Sequence, residues 1–110
     1  MNKRTILGKE FHFGIGFLNK LIDGTGKDFN TLIAEIESSP ISTIPKMVYF
    51  SLAYSYDRAS KEYDFTINDI YDLIDDNETF SVDFLNAFME SVYKDVPVDN
   101  SKKKVTKTAK

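Results

Sequence analysis

Between Met47 and Tyr56 the chain places Met47, Val48, Tyr49, Phe50, Leu52, Ala53, Tyr54 and Tyr56 within ten residues. On a helix these side chains cover nearly every direction around the axis. A helix that is apolar all round is stable only when other elements surround it. This segment therefore predicts a central helix, over about residues 43–60, with the rest of the chain packed around it. Pro45 falls in its expected first turn, where a missing amide hydrogen costs little.

Four further helices supply the packing. Ile15, Leu18 and Ile22 keep helical spacing, with Phe17 and Leu21 beside them, and Gly24 within Asp23-Gly24-Thr25-Gly26 is expected to cap that helix in the left-handed conformation. The next helix starts near Asp28, carries Phe29, Leu32, Ile33 and Ile36 on one stripe, and stops at Ser38-Ser39-Pro40. Thr66 and Asp69 form a capping pair ahead of a stripe of Ile67, Ile70, Tyr71 and Ile74. After the turn Asn77-Glu78-Thr79, Ser81 is the expected cap of the last helix and Phe80 a staple onto Leu85. Phe84, Leu85, Phe88 and Val92 line its expected buried side, and Pro97 closes it.

The first thirteen residues read as a β-hairpin. Thr5-Ile6-Leu7 and Glu10-Phe11-His12-Phe13 flank Gly8-Lys9, a pair suited to a two-residue II′ turn. That register sets Ile6 opposite Phe11 and Arg4 opposite Phe13, with Thr5 and His12 on the outer face. Ile6, Phe11 and Phe13 then form an apolar face that helices must cover, because a lone hairpin is only marginally stable. The expected fold is mainly α: about five helices packed around the apolar one, with an N-terminal hairpin. Residues 1–98 form one domain, and 99–110 a disordered basic tail.

The chain has 110 residues, nine of them Phe and six Tyr, enough for one domain with its own core. Its charge is divided sharply. Of 14 basic residues, five are lysines in the last ten positions, which leaves nine against 17 acidic residues in positions 1–100, a net charge of −8. An acidic body with only two arginines, Arg4 and Arg58, argues against nucleic acid as the main ligand, since phosphate binding is driven by basic side chains. There is no cysteine, so neither a disulfide framework nor a thiol nucleophile exists, in keeping with a reducing cytoplasm. No apolar run approaches the ~18 residues of a transmembrane helix, and the N-terminus lacks the apolar stretch of a signal peptide. The expectation is a soluble, intracellular protein without a membrane partner.

No motif in the chain carries catalysis. His12, the only histidine, has no serine or cysteine motif to serve as nucleophile and is expected on the hairpin surface. Asp72, Asp75, Asp76 and Glu78 lack the alternating ligands and bend glycine of a calcium loop, so they read as a solvated face. Gly14-Ile15-Gly16 and Gly24-Thr25-Gly26 do not continue as phosphate-binding loops. No catalytic residue, cofactor or metal ligand is assigned. Tyr49, Tyr56 and Tyr63 recur every seven residues, which aligns them on one face if the helix continues past Ser60. Two readings stand for this series: packing at the edge of the core, or a stripe that receives a helix from a partner.

The run Gly8-Lys9-Glu10-Phe11-His12-Phe13-Gly14-Ile15-Gly16-Phe17-Leu18-Asn19-Lys20-Leu21 resembles the start of the tail assembly chaperones of long-tailed bacteriophages of Gram-positive hosts. The likeness continues through the acidic helix at 66–75, the helix ending in Val-Tyr-Lys-Asp-Val-Pro-Val at 92–98, and the lysine-rich end. It implies a non-enzymatic protein that binds the tape measure protein and keeps it soluble while the tail tube assembles. It implies action in the host bacterial cytoplasm and absence from the mature virion. A longer product made by frameshifting, able to engage the tail tube protein, is also implied, and self-association is left open. The alternatives are a small phage or bacterial regulator that binds a host protein, and a structural tail completion protein.

Overall fold

The computed structural model describes residues 3–95, and the side chains of 3–91. The expected place of Val92, the closing role of Pro97 and the 99–110 tail fall outside what is described. Within it, a hairpin of β1 (Lys3–Ile6) and β2 (Lys9–His12) is followed by α1 (Ile15–Thr25), α2 (Phe29–Ser38), α3 (Pro40–Arg58), α4 (Ile67–Asp76) and α5 (Phe80–Asp95). The fold is mainly α with an N-terminal antiparallel hairpin.

The expected central helix is α3, which packs against β2, α1, α2 and α4. Met47, Val48, Ser51, Leu52 and Ala53 are buried along it. It begins earlier than the sequence suggested. Pro40 occupies the first turn, so α2 and α3 are separated by Ser39 alone, and Pro45 lies inside the helix and is buried. Pro40 thus starts a helix rather than merely ending the preceding one, as its fixed φ permits at that position.

The hairpin turns at Leu7-Gly8, both with positive φ (53° and 77°), not at Gly8-Lys9. Ile6 therefore pairs with Lys9, Arg4 with Phe11 and Lys3 with His12. Positive φ at both central positions is the geometry of a type I′ turn, whose twist matches that of the strands. The apolar face survives this shift, because Phe11 and Phe13 still alternate with His12 and point the same way.

That face meets α1 and α5 in an aromatic cluster. Phe11, Phe13, Phe17, Phe80, Phe84 and Phe88 are each 3% exposed or less. Their ring centroids contact at 5.4–6.3 Å, several of them edge to face. Each buried ring contributes roughly 1.5–3 kcal/mol by leaving water. Phe80 is the first residue of α5 and part of this core, which corrects its expected place before the cap; Thr79 O accepts the first helical bond, from Asp83 N. Ser81 consequently lies within the first turn and caps nothing.

The packing of α1 on α3 depends on two missing side chains. A Cβ at Gly16 would overlap the Tyr54 ring, and one at Gly24 the Phe50 ring. Gly24 is thus a close-approach residue inside α1, and Gly26, with φ 72°, takes the left-handed cap and donates its N–H to Ile22 O at 2.8 Å. Ile15, expected on the inner stripe, is 66% exposed. Phe17, Leu18 and Leu21 form the buried face instead.

Two caps follow the sequence reading. Asp28 accepts the Thr31 N–H at 2.8 Å to open α2, and Asp69 accepts the Thr66 N–H at 2.8 Å to open α4.

Candidate partner-binding surface

The helix carrying Tyr49 and Tyr56 ends at Arg58, and Ser60 follows with φ 57°. The chain reverses there, with Lys61 N bonded to Tyr56 O at 3.0 Å. Tyr63 therefore does not extend a helical line. The connection to α4 folds back over α3 and inserts Phe65 among the tyrosines: its ring lies 5.3 Å from Tyr49, 5.0 Å from Tyr56 and 5.4 Å from Tyr63, the last stacked. The three residues singled out by spacing are thus brought together around a fourth aromatic, as a cluster rather than a stripe.

Two of their hydroxyls are committed within the molecule. Tyr56 donates to Asp64 at 2.7 Å and Tyr63 to Asp57 at 2.8 Å. Asp57 also pairs with Lys20 of α1 at 2.8 Å, and Lys61 lies over the Tyr56 ring at 4.5 Å. The Lys20 bond holds the Asp57 carboxyl below its ordinary pKa, and the same bond raises that of Lys20. The hydrogen bond to Asp64 raises the Tyr56 phenol; burial, then the bond to Asp57, raises that of Tyr63. These contacts anchor the loop. What the cluster offers to solvent is the face of Tyr63, 41% exposed, and a neighbouring hollow of ≈ 490 Å³ bordered by Lys46, Tyr49, Phe50, Phe65 and Ile67.

A larger concavity lies elsewhere. The first turns of α3, together with α4 and the start of α5, enclose a groove of ≈ 730 Å³ lined by Pro40, Ile41, Ile44, Pro45, Tyr71 and Ile74, with Asp75 and Ser81 at its border. Ile41 is 90% exposed and Tyr71 47%. Tyr71 was expected on the inner stripe of α4; Leu73 is half-buried there instead. The sequence reading missed this groove because it left Ile41 in a loop before residue 43. The available signal was an isoleucine directly after a proline able to start a helix.

The segment that supplies α4 and the start of α5 has one sign of charge. From residue 62 to 93 the chain carries nine acidic residues and no lysine or arginine. Asp72, Asp75, Asp76, Glu78 and Asp83 are all exposed, and none forms an ion pair among the described residues. Neither they nor other described residues gather three acid or imidazole side chains as a cation site.

His12 is not the surface residue that the strand pattern suggested. Its ring meets Tyr54 edge-on at 5.9 Å, its backbone carbonyl accepts a bond from the buried Ser51 hydroxyl at 2.9 Å, and its Nδ1 is buried with no hydrogen-bond partner among the described residues. The end of β2 packs on α5 through Phe11 and on α3 through His12, which places the imidazole against α3. Among the described helices none is long and apolar enough to cross a membrane. Compared with known protein families, curated proteins and solved structures, the chain matches none.

Proposed function

We propose that this protein is a non-enzymatic assembly chaperone of the long-tailed phage type, which holds the tape measure protein soluble in the host cytoplasm until tube subunits displace it. The observation that carries the reading is the open, mostly apolar groove at the start of α3, on elements whose exposed carboxylates pair with no cation among the described residues. The resemblance of Gly8–Leu21 to that family's start supports it. A long protein built of amphipathic helices aggregates through its apolar faces before assembly. A small partner that covers such a face, and whose net charge keeps complexes apart, prevents this.

Co-expression with the tape measure protein of the same phage tests the proposal. The soluble fraction of that protein should rise, the two should co-purify, and the chaperone should be missing from finished particles. A tape measure protein that stays insoluble and unbound sinks the reading, and recovery of this chain in purified particles would favour a structural tail component. The role of Tyr49, Tyr56 and Tyr63 in partner binding is a proposal of the same kind. Alanine at Tyr63 weakens co-purification with little change in melting if the cluster is part of the interface. It only lowers the melting temperature if the cluster is a loop anchor.

A further inference from the structure

The groove at the start of α3 has three properties that together define what fits it. Its lining is mostly aliphatic and aromatic, broken only by Ser42, Asp75 and Ser81, with Ile41 exposed on the wall contributed by α3 and Tyr71 on that of α4. Asp75 lies at the groove itself, and the elements on that side, α4 and the chain through the first turn of α5, also carry the exposed Asp72, Asp76, Glu78 and Asp83, with no cation paired to any of the five among the described residues. Its walls are helices, which present ridges and hollows at the spacing of another helix. Phosphate-bearing ligands are repelled by such a flank. A second copy seated there would bring acid against acid.

We infer that this groove seats an amphipathic helix of a protein partner whose aliphatic stripe is flanked by lysine or arginine side chains. The stripe enters between Ile41, Ile44, Tyr71 and Ile74, as apolar anchors enter helix-binding grooves. The flanking cations meet the carboxylates of α4, which fixes the direction in which the helix lies and speeds encounter. The inference rests on the function proposed above only for the identity of the protein that supplies the helix; the groove and its charge stand on the structure.

Two synthetic peptides of about 18 residues, long enough to hold a helix on binding, test it. Both carry the same leucine stripe, flanked in one by lysines and in the other by glutamates. Fluorescence anisotropy with the full chain should show binding of the lysine peptide, weakened by salt, and at least about tenfold weaker binding of the glutamate peptide. Ile41→Ser, at a position open enough to leave the fold intact, should weaken the lysine peptide about tenfold, the loss expected for a central apolar anchor. Tyr71→Ser should act in the same direction, with the circular dichroism of both variants unchanged. Amide shifts on titration should centre on Ile41, Ile44, Tyr71 and Ile74.

Equal affinity for the two peptides, no effect of either substitution, or shifts centred on Tyr63 and Phe65 would overturn the inference. So would a wild-type dimer that Ile41→Ser converts to a monomer, which would make the groove a self-interface. A gain in peptide affinity when Lys102, Lys103, Lys104, Lys107 and Lys110 are replaced by Gln would assign the groove to the chain's own lysines instead. Because the peptides contain nothing of the tape measure protein, failure here removes the groove from the case for the chaperone and leaves co-expression to decide that proposal. Failure of co-expression leaves the groove standing.

Discussion

At His12 the imidazole is packed against Tyr54, and burial, reinforced by the Arg58 charge and by Lys3 against the opposing pull of Glu10, lowers its pKa from the ordinary 6.5. The unfolded chain therefore takes up a proton before the folded one does. Stability contributed by the neutral ring is present above the unfolded pKa and is lost as pH falls through the folded value. Denaturant melts between about pH 7 and about pH 5 should show the wild type losing stability, and His12→Phe, which keeps the ring contact but not the titration, losing less. Parallel pH profiles would rule this out. Strand alternation correctly put His12 on the face away from Phe11, yet its burial was hidden, because nothing local says that a second face of a two-stranded sheet will be covered by α3.

Among the elements, α1 shows why local rules misread a boundary. Propensity favours alanine over glycine inside a helix by about 1 kcal/mol, so Gly24→Ala ought to stabilise α1 taken alone. Here a Cβ would overlap the Phe50 ring, and overpacking typically costs about 1–3 kcal/mol. Gly24→Ala should lower the denaturant midpoint, whereas in a Phe50→Ala background it should be neutral or stabilising; additive effects would contradict the contact. The same non-local cause moved the cap to Gly26. Other boundaries were legible because their signals are local: Asp28 and Asp69 were identified by side chains that reach three residues. The start of α3 was not, since Pro40 satisfies the rules for ending α2 and for beginning α3 equally well.

Over the whole molecule, the all-round apolar segment at 47–56 was enough to reveal a central helix and a mainly helical architecture. The candidate sites were less legible. The seven-residue tyrosine spacing held only as far as Tyr56, because the reversal at Ser60 is a backbone event without a glycine or proline to mark it. The aromatic cluster sets the scale of stability: Phe84→Ala should cost about 3–5 kcal/mol, while Asp76→Ala on the exposed face should change stability by less than about 0.5 kcal/mol. Similar small losses for both would refute the core assignment. That cluster also has a consequence for how the chain is made. Its rings come from the first seventeen residues and from α5, with Phe13 against Phe84 and Phe88, and Arg4 pairs with Glu90. A ribosome releases the hairpin before α5, and Phe11 and Phe13 have no α5 to meet until the four helices between them and it have been made. The nascent chain therefore carries its own uncovered aromatic surface until α5 clears the exit tunnel, and closes only then.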